Sequence, residues 1–289
     1  MSAIVIDGRA IAQKLRDTIR GAIADWPQKP GLAVVLVGDD PASRIYVERK
    51  VAISQELGIR SFEHFLPEDT SREALQALIT HLNEDADVHG ILVQLPLPKH
   101  LDGNEISQFI APHKDVDGLT ALNAGKLVTG GADVLVPCTP QGVMLLLEQS
   151  VGLENLAGKH AVVIGRSLLF GKPMAQLLLQ ADCTVTHAHS KTQHLPSLCR
   201  QADIVIAAVG KPELVRADWL RPEAIVLDVG INRMADGSLA GDVAFAEAKE
   251  VASLISPVPG GVGPMTVACL MRNCIKAYCQ QTGKEMPDI

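Results

Sequence analysis

Val162-Val163-Ile164-Gly165-Arg166-Ser167-Leu168-Leu169-Phe170-Gly171-Lys172-Pro173 runs from a buried-strand pattern through a glycine turn into the start of a helix. His160 and Ala161 extend the apolar run at its front, and Gly171–Gln180 carries a helical period behind it. A strand that feeds a helix through such a turn offers backbone N–H groups and the positive end of a helix dipole to a phosphate. The pattern is G-x-S-x-x-x-G, one residue longer than G-x-G-x-x-G and with Ser in place of the middle Gly. A tight strand–helix turn also needs glycine on steric grounds alone. The turn by itself therefore fits either a nucleotide site or a purely structural corner.

The next strand sharpens the reading. A site for NAD usually carries an acid about 20 residues on, bonded to the ribose hydroxyls. Here Thr184–Thr192 reads TVTHAHSKT and holds no acid. It supplies Ser190 and Lys191, and Arg166 stands in the glycine turn. These groups suit a ribose phosphate and predict NADP; as plain surface charges they would predict nothing. His187 and His189 lack an acidic or thiol partner nearby and read as surface histidines, so no metal is expected.

Outward from this turn, buried-strand runs alternate with helical segments. Leu32–Val37 reads as a strand, 41–57 as a helix, Ile59–Leu66 as a strand, 73–82 as a helix and Gly90–Leu95 as a strand. This order implies a parallel sheet flanked by helices. A second series follows a turn-rich region around 129–137: strands at 160–164, 184–187, 204–208 and 224–229, then a breaker-dense loop at 256–264 (SPVPGGVGP) and a closing helix at 265–280. The expected class is α/β with two domains joined near 120–140.

Composition agrees with that class. The 289 residues are 47% hydrophobic but only 3% aromatic, so the core is built from aliphatic side chains on helix and sheet layers. Net charge is −7 with no Lys/Arg-rich run, which argues against a nucleic-acid binder. No apolar run approaches the roughly 18–20 residues that span a bilayer. The N-terminus lacks a basic region before an apolar stretch, and a cytoplasmic protein is expected. Six cysteines form no C-x-x-C pair. Cys269, Cys274 and Cys279, spaced by five, turn about 140° from one to the next on a helix and share no face. All six read as buried thiols.

A catalytic constellation stands in the first half. Ser43, Tyr46 and Lys50 have i, i+3, i+7 spacing and share one helix face. A lysine on such a face can carry protons, or it can simply snorkel to water. Gln94 interrupts the apolar run GILVQLPLP just before Pro96 and Pro98, at the carboxyl end of a buried strand where α/β proteins place ligands. In Lys114-Asp115-Val116-Asp117-Gly118, two acids before glycine can make a turn or bind a ligand amine.

Together these segments resemble the bifunctional methylenetetrahydrofolate dehydrogenase/cyclohydrolases along nearly the whole chain. The resemblance rests on S-x-x-Y-V-x-x-K at 43–50, GILVQLPLP at 90–98, KDVDG at 114–118, PCTP at 137–140, GRS…GKP at 165–173, HSKT at 189–192, D-x-G-I-N at 228–232 and PVPGGVGPMT at 257–266. It implies a folate-binding catalytic domain over 1–138, to which a final helix at 265–285 returns, and a Rossmann-like NADP domain over 139–264. It places the active site in the cleft between them. It makes Lys50 the catalytic lysine, Tyr46 a stacking or hydrogen-bonding partner of the folate, Gln94 the residue that orients Lys50, and Asp117 the holder of the pterin amino group. Leu95, Pro259, Gly260 and Gly261 would line the folate site; Gly165, Arg166, Ser167, Ser190 and Ile231 would contact NADP. It also implies a homodimer. Ala188 stands where many relatives have Cys, and is expected not to touch these residues. The rivals are a different two-domain NADP dehydrogenase, acting on a hydroxy acid or a shikimate-like substrate, and a non-catalytic folate or nucleotide binder. The first would not need the Ser43–Lys50 face or KDVDG, and the second would not need Lys50.

Overall fold

The structure, a computed structural model, describes residues 2–289. In chain order it begins β1 (Ile4–Val5), α1 (Gly8–Ile23), β2 (Gly31–Val37), α2 (Pro41–Glu56), β3 (Arg60–Leu66), α3 (Arg72–Glu84), β4 (Gly90–Val93), α4 (Gly103–Ser107), α5 (Ala121–Thr129) and α6 (Cys138–Val151). It continues with β5 (His160–Ile164), α7 (Gly171–Gln180), β6 (Thr184–Ala188), α8 (Leu195–Cys199), β7 (Ile204–Ala207), β8 (Ile225–Asp228), β9 (Asn232–Arg233), β10 (Leu239–Ala240), α9 (Phe245–Ala248), β11 (Leu254–Ile255) and α10 (Val262–Thr282).

The chain forms two compact units. One takes the segment through Gln13 with Thr139–Thr266; the other takes Lys14–Cys138 with Val267–Ile289. In the second, a parallel sheet has the order β3-β2-β4. All seven residues of β2 are buried, as expected of a central parallel strand covered on both faces. Ala33, Val35, Ile91 and Val93 pack with Leu75, Ile79 and Leu82 of α3 and with Ile106. In the other unit a six-stranded parallel sheet has the order β1-β11-β8-β7-β5-β6. Its core of Val162, Ile164, Val205, Ala207, Val226 and Ile255 is aliphatic, in keeping with the scarcity of aromatics.

The start of the chain corrects one expectation. Residues 1–138 read as one domain, but the segment through Gln13 belongs with the six-stranded sheet. Ile4 and Val5 run parallel to Leu254 and Ile255, and Ile6 N donates to Ile255 O at 2.9 Å. Two-residue strands carry no periodicity, so the sequence gives no sign of this pairing. A second correction concerns the last helix. It starts at Val262, inside the stretch read as a loop, and ends at Thr282. Pro264 falls in its first turn, where the missing N–H has no helical partner to lose. All six cysteines are buried and none is in a disulfide. Among the described residues no helix is long and apolar enough to cross a membrane.

Candidate active site

Lys50 is placed by the start of its helix. Asp40 caps α2 by accepting from Ser43 N at 2.8 Å, with Pro41 at the first helical position. The register that follows leaves Ser43 buried, Tyr46 46% exposed and Lys50 half-buried. β4 runs beside β2 with Val93 opposite Val35, and Gln94 N donates to Val35 O at 2.8 Å just past the strand end. That registry delivers the Gln94 amide to Lys50: Lys50 Nζ donates to Gln94 Oε1 at 3.0 Å. Gln94 Nε2 donates to Leu95 O at 2.5 Å, which turns the amide oxygen toward the lysine. Gln94 is 9% exposed, so the acceptor end of this bond is shielded from water while the lysine end is half-buried.

The KDVDG segment divides its charges between structure and site. Lys114, buried, donates to Leu82 O and Asp85 O at the end of α3. Asp115, fully buried, accepts from Leu119 N, Thr120 N and Asn123 Nδ2, and so anchors the start of α5. Its acceptor capacity is spent inside the fold. Asp117 is different: among the described residues its carboxylate accepts only a long bond, 3.7 Å, from the Cys138 thiol. Burial pushes Asp117 above the usual carboxylate range, the Lys50 charge pulls it back, and Asp115 pushes it up again. Burial holds the Cys138 thiol protonated, able to donate. The two acids that looked equivalent in sequence thus separate into a turn builder and a carboxylate with capacity for a ligand.

In the other unit, β5 ends at the glycine turn. Gly165 has φ +130°, and a Cβ there would meet the Ala208 carbonyl; a Cβ on Gly171 would meet the Gly165 carbonyl. No other residue closes this corner, and the backbone is laid bare where a dinucleotide would approach. Ser167 Oγ accepts from Phe170 N at 3.1 Å. Arg166, Ser167 and Ser190 are exposed, and Ile231 is 50% exposed. His187, read as a surface residue, donates from Nε2 to Gly165 O at 2.6 Å and braces the turn. These residues fit a dinucleotide phosphate, with an exposed guanidinium for a further phosphate. Pro259, Gly260 and Gly261 form a turn closed by Gly261 N to Pro257 O at 2.9 Å; Pro259 is exposed and Gly261 buried.

A family profile described as tetrahydrofolate dehydrogenase/cyclohydrolase, catalytic domain, matches residues 6–117, and its NAD(P)-binding domain partner matches residues 137–282. The chain belongs to the tetrahydrofolate dehydrogenase/cyclohydrolase family. A curated relative, the bifunctional protein FolD of Paramagnetospirillum magneticum, is 55% identical over 99% of this chain and 98% of its own. The crystal structure of the Campylobacter jejuni bifunctional methylenetetrahydrofolate dehydrogenase/cyclohydrolase superposes with a TM-score of 0.94, at 44% identity, covering 96% of this chain and 99% of that one. The Trypanosoma brucei enzyme, complexed with NADP cofactor and inhibitor, has a TM-score of 0.91 at 38% identity, with 98% and 99% covered.

Within this member of the tetrahydrofolate dehydrogenase/cyclohydrolase family, Lys50, Gln94, Leu95 and Asp117 lie in one unit, with Tyr46 one turn before Lys50 on α2. Gly165, Arg166, Ser167, Ser190, Ile231 and Pro259–Gly261 lie in the other. Sequence reasoning assigned no role to Cys138, Asp115 or His187. Their partners lie from 4 to 135 residues away, and nothing in their spacing announces the contacts.

Proposed function

We propose that this protein oxidises methylenetetrahydrofolate to methenyltetrahydrofolate with NADP and then hydrolyses the product to formyltetrahydrofolate. The observation that carries the reading is the half-buried Lys50–Gln94 hydrogen bond, placed by the S-x-x-Y-V-x-x-K helix of a chain that belongs to this family over its length. A passive folate or nucleotide binder has no proton to move and no use for a lysine held this way. The test is an absorbance assay with methylenetetrahydrofolate and NADP that follows the methenyl intermediate. A chain that forms neither the intermediate nor formyltetrahydrofolate overturns the proposal.

NADP, when bound, supplies the hydride acceptor. The work of the chain is positioning and proton transfer. Asp117 receives the pterin amino and ring N–H groups in charge-assisted bonds. Tyr46, largely exposed, offers its ring to the folate. Lys50, as the neutral amine, takes a proton from the attacking water and, as the ammonium so formed, returns one to the departing ring nitrogen; Gln94 Oε1 accepts from its Nζ in either form. Leu95 and the backbone of Pro259, Gly260 and Gly261 line the substrate.

Gly165 and Ser167 receive the pyrophosphate, Ser190 and Arg166 the ribose phosphate, and Ile231 the nicotinamide side. Arg166→Ala is expected to raise KM for NADP about tenfold, the lower end of a charge-assisted bond because the guanidinium is exposed, and to leave KM for NAD within about twofold. Equal use of both cofactors by the wild type would end the claim of NADP preference. We further propose a homodimer, on family resemblance, and a cytoplasmic protein. Light scattering at micromolar concentration is expected to give twice the 30.8 kDa chain mass; a monomer mass refutes the dimer.

A further inference from the structure

Two carboxylates absent from every role above sit under the loops at the carboxyl edge of the six-stranded sheet. Asp242 is fully buried. Its Oδ2 accepts from Val209 N at 2.5 Å and Gly210 N at 2.9 Å, and its Oδ1 accepts from Lys211 N at 2.8 Å and Asn232 Nδ2 at 2.9 Å. Three consecutive amides converging on one anion make a nest, here filled by the protein's own side chain. Asp228, 3% exposed at the end of β8, accepts from Gly230 N at 3.0 Å, Asp242 N at 2.9 Å and Val243 N at 2.8 Å. The pair is packed onto glycine: a Cβ on Gly230 would meet Asp242, and one on Gly241 would meet Asp228.

The loops held in this way are the ones that border the dinucleotide turn. The nest residues 209–211 follow β7, and the residue before them, Ala208, presents the carbonyl against which Gly165 packs. Ile231 is clamped from both sides, by Gly230 on Asp228 and by Asn232 on Asp242. A buried carboxylate is costly unless its lone pairs are filled, and a neutral side chain could have capped one loop. Asp242 Oδ1 alone joins the two loops, through Lys211 N and Asn232 Nδ2, while Oδ2 fills the rest of the nest; only a side chain with two acceptor oxygens serves all four donors. We propose that Asp242, supported by Asp228, is a positioning residue for the dinucleotide site, fixing the loops after β7 and β8 against the Gly165 turn. This rests on the functional reading above.

The test is calorimetric titration of NADP into full-length Asp242→Asn protein, beside its cyclohydrolase turnover on methenyltetrahydrofolate, which uses no dinucleotide. An amide cannot accept from all four donors, so Kd for NADP is expected to rise at least about tenfold while cyclohydrolase turnover stays within about twofold. A matching loss of both shows a merely structural role and overturns the proposal. Unchanged NADP affinity overturns it as well. Wild-type protein that binds no NADP overturns the function and this inference together. If Asp242→Asn does not fold, Asn232→Ala decides. It cuts the link to the loop after β8 and leaves the nest in place. An NADP Kd raised about threefold or more supports the proposal, and one equal to wild type overturns it.

Discussion

Replacing Lys50 by Met or Gln is expected to abolish cyclohydrolase turnover while methylenetetrahydrofolate oxidation survives in part. The two reactions ask different things of the same side chain. Hydride transfer needs alignment and no proton at the reacting carbon. Hydrolysis needs a proton removed from water and another delivered to nitrogen, and a positioned acid–base group contributes about 10²–10⁴-fold to such a step. Gln94 is the only side chain bonded to Lys50 among the described residues, so the variant leaves one satisfiable amide behind, together with the buried Asp117 carboxyl, which loses the Lys50 charge and is pushed further up. Methenyltetrahydrofolate should therefore accumulate in the assay. A helix lysine with no chemical role would leave both rates within about twofold on replacement. Unchanged hydrolysis by a folded Lys50→Met protein removes Lys50 from the mechanism.

Asp117→Asn is expected to weaken folate binding by about a hundredfold or more in both reactions, since it disrupts two charge-assisted bonds of roughly 1.5–3 kcal/mol each. The same substitution should not lower stability. Burial raises the pKa of Asp117 in the folded protein above its unfolded value. Between those two values the folded state keeps a proton that the unfolded state has lost, so stability falls as pH rises through that window. Above that window the ionised carboxylate is a cost to the fold that an amide avoids. The wild-type KM for folate should also rise as pH falls through the raised pKa, because the protonated acid no longer pairs with the pterin. Asp117→Asn protein with normal folate affinity would reduce Asp117 to a turn former; a lower melting temperature would contradict the electrostatic account.

The parts of this protein legible in its sequence are those whose physics is local. β2, β5, β7 and β8 are continuous aliphatic runs because both faces of a parallel sheet are covered. The helix bearing Lys50 declares its face through spacing alone. α1 was also open to reading: Ala12, Ile19 and Ile23 recur at helical intervals and are all buried. α6 hid behind Thr139-Pro140, which looks like a breaker but occupies a first turn, where proline is tolerated. Tertiary pairing was not legible. Nothing near Asp115 says that its oxygens are spent on α5, or that Asp117 keeps its own. The Lys50–Gln94 bond depends on the registry of β4 against β2, which no single segment contains. Asp242 meets Asp228 across 14 residues of loop and hairpin.

The two discontinuous units impose an order on how the protein is made. Residues 14–138 leave the ribosome early, yet their unit cannot close before Val267–Ile289 has been translated. Ala268, Cys269, Cys274, Ile275 and Ala277 are wholly buried in it, Asn273 Nδ2 donates to both Val116 O and Val136 O at 2.8 Å, and Gln281 reaches His89 O at 2.8 Å. Throughout synthesis of Thr139–Thr266 the nascent first unit therefore waits with the seat of this helix open and apolar, a surface suited to a chaperone that shields unfinished chains. The half of the protein that is born first is the half that matures last.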